Sequence, residues 1–335
     1  MNEIDDVGPA RSFRPRDQGK RLAEQAVTMR LPDLFGLTSM VVLGRSGCSR
    51  AGGHAGASLG PRGRLAPALL LWLAALSVVA APSARAQEIV TLATRPRVTQ
   101  SYFLARVPEK PEAIAVLFPG GGGDIRLRSE GGDIKFSQGN FLVRVRGEFV
   151  KRGIIAAVID VPSDQRGGWG MSDEFRLSKE HLADVQAVIA DLGKRFPGLP
   201  IFLVGTSRGS ISAASLGSRL DGAIAGVVLT SSMFRATNPR ARESGPGLSR
   251  FDFGTIKVPV LIVHHREDAC PVSPYGDAAS LAKMFPLISV TGGLPPTSDA
   301  CEPMSPHGYL GRETETVDAI VNWMLKRPYA REIPG

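Results

Sequence analysis

Residues 201–209 read I-F-L-V-G-T-S-R-G, an apolar run that ends on a glycine-flanked serine and passes directly into the small-residue segment Ser210–Leu220. Few arrangements accommodate such a stretch. The run has the character of a strand buried on both faces, and the segment after it reads as a helix. Gly205 and Gly209 mark a turn too sharp for side chains at its flanks. In a strand–turn–helix of this kind the serine hydroxyl of Ser207 is raised above the C-terminal edge of a sheet, and the backbone N–H groups that follow point the same way. A passive serine in a glycine-rich turn accounts for neither the strand before it nor the helix after it.

The segments around this turn set the fold class. Short β-rich runs alternate with longer stretches of helical period, the pattern of a mostly parallel sheet covered by helices on both faces. Ile89–Ala93 and Tyr102–Val107 read as leading antiparallel strands. Ala113–Phe118, Ile154–Val161, Ile201–Val204, Ala225–Thr230, Val258–Val263 and Leu287–Thr291 read as the strands that follow. Helices are expected over Asn140–Lys151, from about Asp173 to Phe196, over Ser210–Leu220 and over Val317–Lys326, each with an apolar stripe or small-residue face. The expectation is a single α/β domain over residues 87–335 with a short cap.

The first 86 residues do not share this pattern. Arg62 and Arg64 precede an apolar stretch from Leu65 to Ala81, and Ala84-Arg85-Ala86 follows. Basic, apolar and small-x-small segments in that order form a secretory signal peptide. Residues 62–86 are therefore expected to direct export to the periplasm or exterior, with cleavage before Gln87. An uncleaved membrane anchor is the alternative, since the run falls just short of the roughly 20 residues that span a bilayer. Residues 1–61 lack sustained apolar period and have no means of burying a core. They read as a disordered leader, or as sequence upstream of a true start at Met29 or Met40.

Removing that leader changes the charge. Residues 87–335 keep 29 of the 40 Lys and Arg and 26 of the 32 Asp and Glu, a net charge of +3 rather than +8. A clustered basic face for nucleic acid is not expected from that balance. Two of the three cysteines remain, Cys270 and Cys301, and an even pair in an exported chain points to a disulfide. Two free buried cysteines are the alternative.

With its strand–turn–helix setting, the G-x-S-x-G segment resembles the nucleophile elbow of the α/β-hydrolase superfamily, in particular its esterase and dienelactone-hydrolase-like members. The resemblance covers the chain from Ile89 to its end. It implies Ser207 as nucleophile, then an acid and a histidine in that order along the chain. Asp268, just past the strand Val258–Val263, fits the acid, with Glu267 as the second candidate. His307, in S-P-H-G-Y between the last strand and the last helix, fits the general base. His264 and His265 precede the acid, against that order. A Cys270–Cys301 bridge would join the acid loop to the histidine loop, and only a fold that brings those loops together could close it.

Phe118-Pro119-Gly120-Gly121-Gly122-Gly123 resembles the glycine loop of family esterases, with Pro119 where a histidine is usual. Gly121 and Gly122 are the expected oxyanion donors on this side, and the backbone N–H of Arg208 the donor from the elbow. A phosphate loop is excluded, because neither G-K-[ST] nor a G-x-G-x-x-G spacing before a helix is present. There is no H-E-x-x-H, and two cysteines cannot build a zinc ribbon, so neither a metal nor a cofactor is expected. Arg166 and Trp169, and the arginines Arg235, Arg240, Arg242 and Arg250, lie in segments that could border the pocket.

The function these features imply is an exported serine hydrolase that cleaves a carboxylic ester through an acyl-enzyme. A peptidase, thioesterase or perhydrolase would use the same residues, and a non-catalytic binding protein could keep the scaffold. The expected partner is a small acyl substrate, on a monomer or simple homo-oligomer that touches a membrane only through an uncleaved signal segment.

Overall fold

The computed structural model describes residues 86–236 and 245–335. The expected leader and signal segment, Arg240 and Arg242 lie outside the described residues. Among those described, no helix is long and apolar enough to cross a membrane.

The chain opens with the antiparallel pair β1 (Glu88–Arg95) and β2 (Val98–Leu104), then β3 (Ala113–Phe118). A small hairpin, β4 (Arg128–Glu130) and β5 (Asp133–Lys135), precedes α1 (Phe141–Arg144), α2 (Arg146–Lys151) and β6 (Ile154–Ile159). Next come α3 (Asp173–Leu177), α4 (Lys179–Arg195), β7 (Ile201–Thr206), α5 (Gly209–Gly217) and β8 (Gly226–Thr230). The chain ends with β9 (Val260–His265), α6 (Tyr275–Ser280), β10 (Leu287–Val290), α7 (Glu313–Met324) and β11 (Glu332–Ile333).

The strands form a sheet in the order β1-β2-β6-β3-β7-β8-β9-β10-β11, apart from the separate hairpin. β1, β2 and β6 pair antiparallel, and every pairing from β6 to β11 is parallel. This is the expected α/β architecture.

Side chains alternate across the sheet because successive Cβ atoms in a strand point to opposite faces. On β3, Ile114, Val116 and Phe118 enter the core under α4 and α5. Ala113, Ala115 and Leu117 enter the opposite core under α1, α2 and α7. Both faces are thus covered, as a parallel sheet requires.

Two of the expected helices are interrupted. The stretch 140–151 divides at Val145 into α1 and α2. The stretch from Asp173 divides at Ser178, whose backbone is extended (φ −74°, ψ 166°) and whose hydroxyl accepts from His181 N to cap α4. The apolar stripe Val185, Val188, Ile189 and Leu192 lies wholly in α4, whereas α3 buries Asp173 and Arg176; the serine N-cap supplies a bond that compensates for the interruption.

The parallel register places the functional loops. Phe118 pairs with Gly205, Thr206 with Thr230, Thr230 with Val263, and His265 with Val290. The chain therefore leaves β3, β7, β8 and β9 at one edge, the carboxyl end, where open α/β sheets bind their ligands.

Candidate active site

Ser207 follows β7 with φ +51°, a left-handed conformation that few non-glycine residues adopt. Its N–H donates to Thr230 O at 3.0 Å, and its carbonyl accepts from Ser210 N at 3.0 Å and Ser210 Oγ at 2.6 Å. The flanking glycines are required by packing. A Cβ on Gly205 would lie 2.4 Å from Gly209 O, and one on Gly209 only 2.0 Å from Phe118 O. The elbow is pressed directly against the end of β3.

The glycine loop begins at that contact. Gly121 takes φ +59°. Its carbonyl accepts from Arg176 Nη2 at 3.0 Å, and Gly122 O accepts from Met171 N at 2.9 Å. Arg176 is fully buried and also donates through Nη1 to Ser212 Oγ, at 2.9 Å, on the helix behind Ser207. Burial and then the neighbouring Arg208 charge push its guanidinium down to about 9, so it stays cationic at neutral pH. Arg176 thus clamps the glycine loop to α5. Arg208 itself forms an ion pair with the buried Asp173, Nη2 to Oδ1 at 2.5 Å.

Asp268 and His307 are brought together across 39 residues of sequence: His307 Nδ1–H donates to Asp268 Oδ2 at 2.8 Å, and both side chains are buried. His264 approaches the same oxygen, with Nε2 at 3.4 Å while it bonds Ser273 O at 2.9 Å. Burial alone would raise the Asp268 carboxyl. The hydrogen bonds from His264 and His307 outweigh it and hold the carboxyl well below the usual carboxylate range. Asp268 Oδ1 accepts from Cys270 N at 2.9 Å, so both oxygens are engaged. Glu267, the second candidate acid, is exposed and its carboxylate accepts from Gly292 N at 3.2 Å.

His307 lies in a 3-10 turn, Pro306–Gly308, whose entry is capped by Ser305 Oγ accepting from His307 N. The next residue, Tyr309, takes φ +58° and is fully buried. Its hydroxyl donates to Val263 O at 2.8 Å and accepts from Ser231 N at 3.0 Å, pinning the turn to β9 and β8. Arg144 Nη2 reaches Gly308 O at 2.6 Å and Glu313 Oε1 at 2.8 Å. The structure also joins Cys270 to Cys301, with Cα atoms 4.6 Å apart.

Ser207 and His307 line one cavity of about 350 Å³, with Gly120, Gly121, Gly122 and Arg208 in its wall. His307 Nε2, the nitrogen turned away from Asp268, is buried and bonds no described residue. It is therefore available to a group in the cavity. Trp169, 63% exposed, stands on the rim with Met233 and Val272. Of the expected arginines, Arg166 pairs with Asp160 and Arg235 with Asp277, and Arg250 is exposed; none of them lines the cavity.

His264, which the sequence offers as a residue packing or hydrogen-bonding near the site, does so through the neighbouring Asp268 and Ser273. Arg176, Tyr309 and Arg144 leave no local signature, because each acts through a contact between segments distant in the chain.

With this geometry the comparisons become readable. Residues 144–251, which include the elbow, match the family described as serine aminopeptidase, S33. No curated protein matches the chain. Among solved structures the chain is similar to a soluble variant of the monoglyceride lipase of Saccharomyces cerevisiae, with a TM-score of 0.50 at 11% identity, covering 73% of this chain and 96% of that one. It is also similar to Est1E of Butyrivibrio proteoclasticus with bound ferulic acid, at 0.47 and 18%, covering 71% and 98%. A third is an α/β serine hydrolase without lid from Xanthomonas campestris, at 0.46 and 14%, covering 70% and 94%. The fold is that of the α/β hydrolases, and the segment that holds the elbow is similar to a serine peptidase family of that fold.

Proposed function

We propose that the chain is an exported carboxylic-ester hydrolase in which Ser207, His307 and Asp268 form the catalytic triad. The observation that carries this reading is the buried Asp268–His307 pair, which shares one cavity with Ser207 and leaves His307 Nε2 bonded to no described residue. Asp268 fixes the tautomer, placing the proton on Nδ1 and leaving Nε2 as a base. Nε2 takes the proton of Ser207 Oγ as that oxygen attacks the ester carbonyl. The proton then passes to the departing alcohol, and water activated by Nε2 releases the acid. The donors to the developing oxyanion are the backbone N–H groups of Gly121, Gly122 and Arg208, all in the cavity wall.

The cavity favours a small, uncharged acyl substrate. Among the described residues its walls combine Met233, Val272, Phe141 and Trp169 with one carboxylate, Glu302, and Arg208, which is paired with Asp173. The Cys270–Cys301 bridge suits an oxidising compartment, in keeping with the signal segment at residues 62–86. The test is fluorophosphonate labelling of residues 87–335, with Ser207→Ala and His307→Ala alongside. Label on Ser207 in the parent chain, and in neither variant, is the expected result. A panel of p-nitrophenyl esters, thioesters and aminoacyl anilides then identifies the acyl bond, with esters expected fastest. A folded parent chain that takes no label rejects the triad.

A further inference from the structure

Asn140 precedes α1 and caps it: its Oδ1 accepts from Leu142 N at 3.2 Å. That bond fixes which end of the amide faces where, because Oδ1 is turned to the helix and Nδ2 must point the other way. Nδ2 points to the glycine loop. A Cβ built on Gly120 would lie 3.2 Å from Asn140 Nδ2 and 2.9 Å from Ser207 Cβ, so the amide and Ser207 both border one point beside the glycine loop. Asn140 lines the same cavity as Ser207, His307 and Gly121. Its position is held firmly. Arg144, one turn along α1, is tied to Gly308 O beside His307 and to Glu313.

We propose that Asn140 is a further catalytic residue, whose Nδ2–H donates to the substrate's carbonyl oxygen as it becomes an oxyanion on Ser207. The inference rests on the hydrolase reading above and adds a side-chain donor to its backbone donors. The capping bond sets the amide's orientation before substrate arrives. An oriented amide dipole stabilises charge without reorganising at the moment of reaction, which makes such a donor effective. The bonds made and broken are those of acyl transfer, and Asn140 keeps its own protons throughout.

Capping and donation can be separated by substitution. Asp and Ser cap helices about as well as Asn, so Asn140→Asp and Asn140→Ser keep α1. Asp substitutes an acceptor for the donor, and Ser is too short to reach. With p-nitrophenyl acetate as the probe, both variants should lose about 10²–10³ in kcat, with KM within about threefold and the thermal midpoint unchanged. Asn140→Ala should lose the same activity and also the cap, with a lower thermal midpoint than the parent. If Asn140→Ser keeps kcat within threefold of the parent while Ser207→Ala is inert, Asn140 is only a cap and the inference fails alone. A rise in KM at unchanged kcat rejects it equally, since that would be ground-state binding. If the folded parent chain neither takes the fluorophosphonate nor turns over the ester, the hydrolase reading fails and takes this inference with it.

Discussion

The nucleophile and its acid–base partners stand at the same edge of one sheet, yet they are held there by different physics. On the elbow side the restraint is steric. Gly209 backs onto Phe118 O so closely that a Cβ would come within 2.0 Å, and Ser207 is forced to φ +51°. On the other side the histidine turn is packed as tightly, a Cβ on Gly308 falling 1.9 Å from Pro303 O, but that contact stays within the turn and does not tie it to Asp268. Their geometry rests on side-chain links: the Cys270–Cys301 bridge, the Tyr309 hydroxyl between β8 and β9, and Arg144 on Gly308. A site restrained by contact fails at once when one atom is added. A site restrained by several bonds loses its geometry in increments.

The largest effect expected from this contrast is that of Gly209→Ala. The added methyl would meet backbone, which cannot rotate away, so strand and elbow must separate. A misplacement near 1 Å already costs about 10² in rate. The expected outcome is a loss in kcat/KM above ~10², together with roughly 3 kcal/mol of stability, read by ester turnover and urea unfolding. A variant keeping a tenth of the activity would break the steric account. On the other side, Cys270→Ser with Cys301→Ser should lower stability by about 3 kcal/mol, from the loop closed across 31 residues. Activity should fall only several-fold, because Tyr309 and Arg144 remain. An inert double variant would show that the bridge, and not the set of bonds, holds the acid against the base.

Acid should strain the elbow side through a buried histidine, as it also strains the other side through His265, which burial lowers likewise. Beneath the elbow, His181 is fully buried, with Nε2 at 3.0 Å from Ser212 Oγ. Burial, then the charges of Arg176, Arg219 and Arg95, push it down to about 3. Its folded value lies below its unfolded value of about 6.5, so the unfolded chain binds the extra proton between them. Stability is complete above about pH 6.5 and falls as pH drops toward 3, by roughly 2 kcal/mol at pH 5. The lowered carboxyl of Asp268 has the same sign, but its loss begins only below about pH 4, where the unfolded carboxyl takes up its proton. Urea unfolding from pH 7 to 5 should therefore be steep in the parent chain and flatter in His181→Gln. Equal slopes would mean that His181 is not held neutral.

The same division explains what the sequence disclosed. Ser207, Gly205 and Gly209 are legible because one strand, one turn and one helix, adjacent in the chain, encode the elbow. The sheet is legible for a similar reason: its strands are apolar on both faces, and their lengths and order survive in the pattern. Asp268 and His307 could be named only through the order that the superfamily resemblance implies. Nothing local to either residue reports the 2.8 Å bond across 39 positions. The break at Ser178 is not legible because a serine inside a polar stretch gives no sign that it caps a second helix rather than continuing the first, and Glu332–Ile333 is not because two residues carry no period. Asn140 was legible as the start of a helical stretch, but its amide's second contact depends on where β3 and β7 place Gly120 and Ser207.

The smallest effect expected is also the sharpest test of the incremental side. Tyr309→Phe removes a hydroxyl that donates to Val263 O and accepts from Ser231 N. Those two backbone groups also bond one another at 3.1 Å, so neither is orphaned when the hydroxyl goes. The full desolvation penalty of a buried unpaired group is thereby avoided, and the stability loss should be about 1 kcal/mol. The effect on rate should exceed that on stability in kind. Without that anchor the Pro306–Gly308 turn keeps Arg144, the bridge and the Ser305 cap but loses its tie to β8 and β9, so His307 samples orientations away from Ser207 more often. A fall in kcat of a few-fold, with KM unchanged, is the expected reading from ester kinetics. If Tyr309→Phe instead abolishes activity at full stability, the hydroxyl is as decisive as the glycines, and the two sides of the site are held alike.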